Sequence, residues 1–243
     1  MPYTKKPKMI LFDVGGTLFN DGKCCPADGF EKLRLAAENP DITTCEALAA
    51  LWDEYMSEVS GVKSKSGIAL DPPLSAVIKY AAMRTGLKIK LPMPEQEELF
   101  DRFNSSRNVI DGVSELLAEL ERLGIRTAVI SNNMMSGESL EIAIKHWIPT
   151  ANFEFYLTSA DLLFTKPSKN IFAAAAGCAQ LDPADCRYCG DGLKPDVEGA
   201  KNAGMTPVLL DEKSPVPFEI RTDGEYLAVN CWDAFKDYIQ KFK

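Results

Sequence analysis

Lys8-Met9-Ile10-Leu11-Phe12-Asp13-Val14-Gly15-Gly16-Thr17-Leu18 is the stretch that decides the fold of this 243-residue chain. An apolar run stops abruptly at a carboxylate, and two glycines and a threonine follow. The run reads as a buried strand, and the glycines let the backbone turn sharply as it leaves the sheet. Asp13 is thereby lifted out of the core to the carboxyl end of the strand. Ligands bind there in open α/β sheets. A carboxylate in that place serves as a metal ligand, as a nucleophile, or as both. The plainer alternative is a strand-ending Asp in a turn, and only the surrounding sequence can decide between them.

On the carboxyl-terminal side, from Val109 onward, strands and helices alternate. An amphipathic stretch over 114–123 closes at Gly124, a helix stop. The β-branched run 125–130 then ends at Ser131-Asn132-Asn133. Further strands are expected at 155–157, 186–189, 207–210 and 225–229, with helices at 137–146, 169–178, 196–203 and 232–242. Such alternation means a Rossmann-like α/β core, a parallel sheet layered between helices. The segment before Val109 is different. Helical spacing dominates 30–35, 45–59, 74–85 and 95–104, turn clusters such as Asp71-Pro72-Pro73 separate these pieces, and no convincing strand intervenes. The expected division is a core of residues 1–19 and 108–243 and an all-helical insert of residues 20–107.

Composition narrows the function classes. With 27 basic against 35 acidic residues the formal charge is −8, and no extended basic cluster occurs. Broad nucleic-acid or anionic-membrane binding is therefore not expected. No apolar run reaches the roughly 18 to 20 residues of a membrane span. Asp13 cuts Ile10-Leu11-Phe12 too short for a secretory signal, so a cytoplasmic protein is expected. Seven cysteines, an odd number, read as reduced thiols rather than a disulfide framework. Cys186-Arg187-Tyr188-Cys189 has redox-motif spacing but lies in an expected buried strand, and Cys24-Cys25 lacks a zinc-spaced partner pair. Both are read as structural. Nothing in the sequence sets the oligomeric state.

Three more strand ends carry chemistry. Ser131 and Asn132 offer a hydroxyl and a backbone N–H to an anion. Lys166, in Phe164-Thr165-Lys166-Pro167, opens a helix and adds an ammonium to its positive end. Asp191 and Asp196, in Gly190-Asp191-Gly192-Leu193-Lys194-Pro195-Asp196, flank a glycine-containing turn. Carboxylates meeting Asp13 call for a divalent cation, and a hard oxygen site of this kind suits Mg2+. An Asp beside magnesium, a hydroxyl and a lysine is the outline of a phosphoryl-transfer site.

These motifs, in this order and on these elements, resemble the haloacid dehalogenase superfamily of hydrolases. Asp13 matches the family nucleophile, Ser131 the phosphate-binding hydroxyl, Lys166 the lysine, and Asp191 with Asp196 the acidic pair. The lead-in Asp111-Gly112-Val113-Ser114-Glu115-Leu116-Leu117 is similar to that of members whose helical cap follows the first motif. The resemblance implies the Asp13 strand in mid-sheet, with the Ser131 strand on one side and the Asp191 strand on the other. It implies magnesium held by Asp13, the Gly15 carbonyl and Asp191, and Asp196 behind them orienting Lys166 or metal-bound water. A phosphorylated small molecule would be bound by Gly16, Ser131, Asn132 and Lys166.

One departure matters. Family phosphatases carry a second Asp, a general acid and base, two residues after the nucleophile, where this chain has Gly15. Losing a positioned acid costs about 10² to 10⁴ in rate. Asp21 and Asp28 are the candidate substitutes, though both also suit turn caps. Family dehalogenases place Tyr at this position and phosphonatases Ala. Alternatives to a phosphatase are therefore a phosphonatase- or dehalogenase-like hydrolase, with Lys23, Lys63 and Lys65 as Schiff-base candidates, and a catalytically weakened phospho-ligand-binding protein. His146, near a helix end, reads as packed or dipole-satisfied. Trp52, Tyr55 and Met56 read as core of the helical insert.

Overall fold

In the computed structural model, residues 2–20, 22–66, 72–221 and 225–242 are described. The first strand, β1 (Met9–Phe12), is buried along its whole length. Because side chains alternate across a strand, its apolar run serves two cores at once. Ile10 and Phe12 pack with Val129 against α5 (Val113–Arg122), α6 (Gly137–Trp147) and α10 (Trp232–Ile239). Met9 and Leu11 pack with Ala128 and Ile130 against α8 (Lys169–Ala179) and Ala200 of α9 (Gly199–Asn202). The result is a three-layer α/β core with helices on both sheet faces.

Strands β4 (Arg126–Ser131), β5 (Tyr156–Thr158), β6 (Cys186–Gly190), β7 (Thr206–Leu210) and β9 (Tyr226–Val229) complete the parallel part of the sheet. Its order among the described residues is β5-β4-β1-β6-β7-β9-β8. The Asp13 strand thus lies between the Ser131 and Asp191 strands, in register Phe12 with Val129 and with Cys189. An edge strand, β8 (Phe218–Arg221), runs antiparallel to β9. Sequence reading misses β8, although Phe218-Glu219-Ile220-Arg221 alternates apolar and polar residues, because the run is only four residues long, and its apolar members, Phe218 and Ile220, are exposed. The helix expected at 196–203 also differs. The chain enters it through a π-helical turn, Leu193–Glu198, before α9. The final helix ends at Ile239 and closes in a 3₁₀ turn, Gln240–Phe242.

Residues 20–107 hold α1 (Pro26–Leu35), α2 (Cys45–Ser66), α3 (Leu74–Thr85) and α4 (Met93–Asn104). The two connectors are zipped together rather than free. Strands β2 (Phe19–Asn20) and β3 (Asn108–Val109), two residues each and unread in the sequence, pair antiparallel. The pairing continues through a Cys24–Ser105 bridge. Trp52 stacks on Phe100 at 5.3 Å and meets Phe30 edge-on at 6.3 Å, so it belongs to the apolar centre of the insert. That centre is continuous with Met135 and Ala143 of the α/β core.

A buried carboxylate fixes this contact. Glu97 of α4 is 1% exposed and accepts from the Ser75 N–H at 2.8 Å, the Ser136 N–H at 2.9 Å, the Ser136 hydroxyl at 2.7 Å and the Ser139 hydroxyl. The Leu74 N–H donates beside it to the Met134 carbonyl at 2.7 Å. The insert therefore bears on the loop that leaves β4 at its carboxyl end. Glu97→Ala strands several buried donors at once and is expected to lower unfolding stability by about 2–4 kcal/mol, read from urea midpoints. Glu97→Gln keeps an acceptor oxygen and should lose less.

Candidate active site

Asp13, Ser131 and Asp191 sit at the carboxyl ends of their strands, where the sheet hands the chain to a turn, whereas Lys166 lies in the loop before α8 and Asp196 in the π-helical turn after β6. Asp13 follows β1, its N–H held by the Cys189 carbonyl at 2.9 Å. The turn behind it is pinned from the far end of the chain, because Trp232 Nε1 donates to the Thr17 carbonyl at 2.8 Å. Ser131 ends β4, and Asp191 follows β6. Two glycines make the close approaches possible. A Cβ at Gly16, which has φ 64°, would lie 2.3 Å from an Asp191 carboxylate oxygen. A Cβ at Gly190 would lie 2.4 Å from the Asp196 carboxyl.

Lys166 is the electrostatic centre. Its ammonium, in a side chain 1% exposed, lies 2.9 Å from Asp13 Oδ1 and 2.7 Å from Asp196 Oδ1. It also donates to the Tyr188 hydroxyl at 2.8 Å. An ammonium has three donors, so three acceptors match its capacity. Tyr188 passes its own proton to the Ile130 carbonyl at 2.8 Å. Burial, with the charges of Asp13 and Asp196 behind it, holds that phenol well above its usual range. Tyr188 was not singled out in the sequence beyond its place in the Cys-x-x-Cys segment. Nothing short of the fold shows that its ring crosses from β6 to Lys166.

Asp196, in the π-helical turn, accepts from the Gly192 N–H at 2.8 Å as well as from Lys166. Burial raises its carboxyl above the ordinary range, while the Lys166 ammonium draws it back down. These contacts tie Asp196 to Lys166 and to the Gly192 backbone. Asn132 holds the same lysine from its backbone. Its Oδ1 accepts the Lys166 N–H at 2.7 Å and its Nδ2 donates to the Lys166 carbonyl at 3.2 Å. The Asn132 side chain is thus committed to positioning. The Gly16 N–H is likewise taken, by the Phe19 carbonyl at 2.8 Å, so Gly16 serves the turn and the approach of Asp191.

Asp13, Gly15, Ser131, Asn132 and Asp191 line one cavity of about 320 Å³. Small-ligand pockets run from about 300 to 1,000 Å³, so this one has room for a small substrate only. Phe19 and Arg107 line it too, and the sequence flagged neither. Arg107 lay hidden because it sits on a connector, where an arginine has no periodic signature. Carboxylate oxygens of Asp13, Asp191 and Asp196 lie within 4.8 Å of one another. Desolvation, then the charges of Asp13 and Asp196, push Asp191 from 3.8 up to about 6. A hard cation fits this oxygen set, since it would relieve the same repulsion.

The sign of that shift sets a measurable slope. Between about pH 4 and 6 the folded chain keeps a proton on Asp191 that the unfolded chain has released. In chelator, stability should therefore fall as pH rises through this window, by about 1 kcal/mol once solvent screening of an exposed group is allowed for. Asp191→Asn should flatten the slope. The same variant should bind added magnesium ions more weakly in calorimetric titration, having one carboxylate fewer in this oxygen set.

Other candidates fall away from the site. Asp28 is exposed in the first turn of α1 and does not line the cavity, and Asp21 lies outside the described residues. Lys23 is exposed, and the side chains of Lys63 and Lys65 lie outside the described residues. His146 is exposed in the last turn of α6, edge-on to Trp147 at 5.3 Å, at the helix end where the dipole favours a basic group rather than in a packed interior. All seven cysteines are free: Cys186 and Cys189 are buried in β6, whereas Cys24 and Cys25 are exposed, their backbones tied to Ser105 and Asn104. No helix among the described residues is long and apolar enough to cross a membrane.

The geometry can be set beside known proteins. A human protein named haloacid dehalogenase-like hydrolase domain-containing protein 3 is 30% identical over 121 residues, 48% of this chain and 46% of that one. The chain thus spans about half the length of the first curated relatives it matches. A glyceraldehyde 3-phosphate phosphatase from Methanothermobacter thermautotrophicus is 26% identical over 85% of this chain and 86% of its own. A solved 2-haloacid dehalogenase from Pseudomonas syringae pv. Tomato DC3000 shares the fold, with TM-score 0.60 and 20% identity over 98% of this chain and 100% of that one. The profile of the haloacid dehalogenase-like hydrolases matches residues 7–204, and with the Asp13 strand in mid-sheet between those of Ser131 and Asp191 this chain belongs to that family of hydrolases.

Proposed function

We propose that this protein is a magnesium-dependent phosphatase acting on a phosphorylated small molecule through an aspartyl phosphate on Asp13. The observation that carries the reading is the convergence of Asp13, Ser131 and Asp191 on one small cavity, with Lys166 against Asp13 at 2.9 Å. Asp13 and Asp191 carboxylates and the Gly15 carbonyl would hold the ion, which when bound screens the charge of the incoming phosphate. An Asp13 oxygen forms a bond to phosphorus, and the phosphorus–oxygen bond to the leaving group breaks with its electron pair on that oxygen. Water then attacks phosphorus, releasing inorganic phosphate and restoring the carboxylate. Lys166 steadies the Asp13 carboxylate, and Asp196, Tyr188 and Asn132 hold Lys166. Ser131 offers its hydroxyl to a non-bridging oxygen.

The four helices of residues 20–107 act in this reading as a cap whose bearing on the β4 loop limits water in the cavity. The relative named glyceraldehyde 3-phosphate phosphatase, matched over 86% of its length, supports the substrate class. The absence of any side chain at Gly15 favours one second reading, a protein that binds a phosphorylated ligand and turns it over weakly. Phosphate release from p-nitrophenyl phosphate, with and without magnesium, separates the two. Magnesium-dependent release abolished in Asp13→Asn supports the enzyme, and binding without release supports the sensor.

A further inference from the structure

Lys166 has its three donors matched by Asp13, Asp196 and Tyr188, and Asp13 and Asp191 bring negative charge to the cavity. Among the described residues that line this cavity, Arg107 is the one cation. It is not a solvated surface arginine, because its side chain is 17% exposed. Nη2 donates to Asp101 Oδ1 at 2.8 Å, and the guanidinium carbon lies 5.9 Å from the centre of the Phe19 ring. A guanidinium has five N–H donors in a rigid fork, so the Asp101 bond leaves others for a ligand. The aromatic face fixes the plane in which they point.

Its position says which part of a substrate it meets. Phe19, against whose ring Arg107 lies, bridges to Gly15, and all three line the cavity, so Arg107 shares a wall with the position that offers no side chain. It is held by β2 and α4, on the insert side of the cavity, while Ser131 and Asp191 approach from the sheet. A phosphoryl group within reach of Asp13 therefore leaves Arg107 facing the rest of the molecule. We propose that Arg107 is a specificity-determining residue that binds a second anionic group, carboxylate or phosphate, on the leaving-group half of a small phosphate ester. This assignment rests on the phosphatase reading above. A purely structural Arg107 would tie its connector to α4 through Asp101, whose carboxyl burial pushes up and Arg107 draws down.

The test compares matched substrates on the full chain with magnesium. One pair is 2-phosphoglycolate against ethyl phosphate, and the other is propane-1,3-diol bisphosphate against propyl phosphate. A charge-assisted bond to a semi-buried guanidinium is expected to favour the anionic member of a pair by about 10- to 100-fold in kcat/KM. The favoured pair identifies the group as carboxylate or phosphate. In Arg107→Gln the preference should collapse below about 3-fold, through KM rather than kcat. Removing Arg107 alone leaves Asp101 buried and unpaired, so the double variant Arg107→Gln with Asp101→Asn provides a neutral, hydrogen-bonded pair at the same place. The assignment is overturned if the unmodified protein shows no preference in either pair, or if the preference survives in both variants. If no phosphate is turned over at all, p-nitrophenyl phosphate included, the phosphatase reading fails by itself. Calorimetric affinities for the same pairs then decide the role of Arg107: a preference lost in the variants supports it, and equal affinities overturn it.

Discussion

Asp13→Asn is expected to abolish turnover, lowering kcat at least about 10⁴-fold, the scale seen when a covalent nucleophile is removed. The substitution keeps the size of the side chain and replaces a charged oxygen by an amide that does not attack phosphorus. Its structural cost should be small, since the Asp13 N–H to Cys189 bond is made by the backbone. Lys166 would lose one of two carboxylate neighbours and keep Asp196 at 2.7 Å. The variant should thus unfold near the unmodified midpoint, and circular dichroism would show this. Two measurements then bear on mechanism. Acid-quenched protein turned over with labelled phosphate ester should carry acid-stable label, lost in Asp13→Asn. A variant that still released phosphate within 10-fold of the original would remove Asp13 as nucleophile and leave the cavity a binding site.

What the sequence discloses about this molecule follows from how local the signal is. β1 and its terminal Asp13 were legible because a strand buried on both faces is a continuous apolar run, and a carboxylate ending it is conspicuous. Ser131, Asp191 and Asp196 were legible for the same reason, each marking the place where a buried strand opens into a polar turn. The placement of helix α3 followed from spacing and from the Asp71-Pro72-Pro73 turn before it, and that of α4 from spacing alone. Residues that act across the fold left no such mark. Tyr188 reaches Lys166 from a neighbouring strand, and its segment invited a redox reading only because cysteines flank it. Glu97 is one acid in the run Glu95-Gln96-Glu97-Glu98, where Gln96 and Glu98 are buried as well, and only the packing of α4 on α6 gives it Ser136 and Ser139 as partners. Arg107 depends on two connectors being zipped side by side, a pairing of residues more than eighty positions apart. The β2–β3 ribbon was invisible because two-residue strands have no period to detect.

Position 15 makes the same point about chemistry, and it sets the other large expectation. With Asp13 live and no acid at Gly15, substrates whose leaving groups need no proton should react far faster than those that do. Aryl and acyl phosphates should exceed alkyl phosphates in kcat/KM by about 10² to 10⁴, the worth of a positioned general acid. Arg107 does not remove this gap, because a guanidinium stays protonated at working pH and gives no proton to an alkoxide. It can only offset negative charge on the departing half. Gly15→Asp should therefore raise alkyl-phosphate turnover more than aryl-phosphate turnover. The backbone does not oppose the substitution by handedness: the left-handed residue of the turn is Gly16, with φ 64°, and not Gly15. The contrasting substitution is Gly16→Ala. It should damage both substrates alike, since its Cβ would press within 2.3 Å of the Asp191 carboxylate in a conformation that disfavours any side chain. A Brønsted plot of kcat/KM against leaving-group pKa reads all of this at once. It should be steep in the unmodified protein and flatten in Gly15→Asp. A shallow plot for the unmodified protein would mean that a proton already reaches the leaving group from elsewhere, and Gly15 would then not govern its choice of substrate.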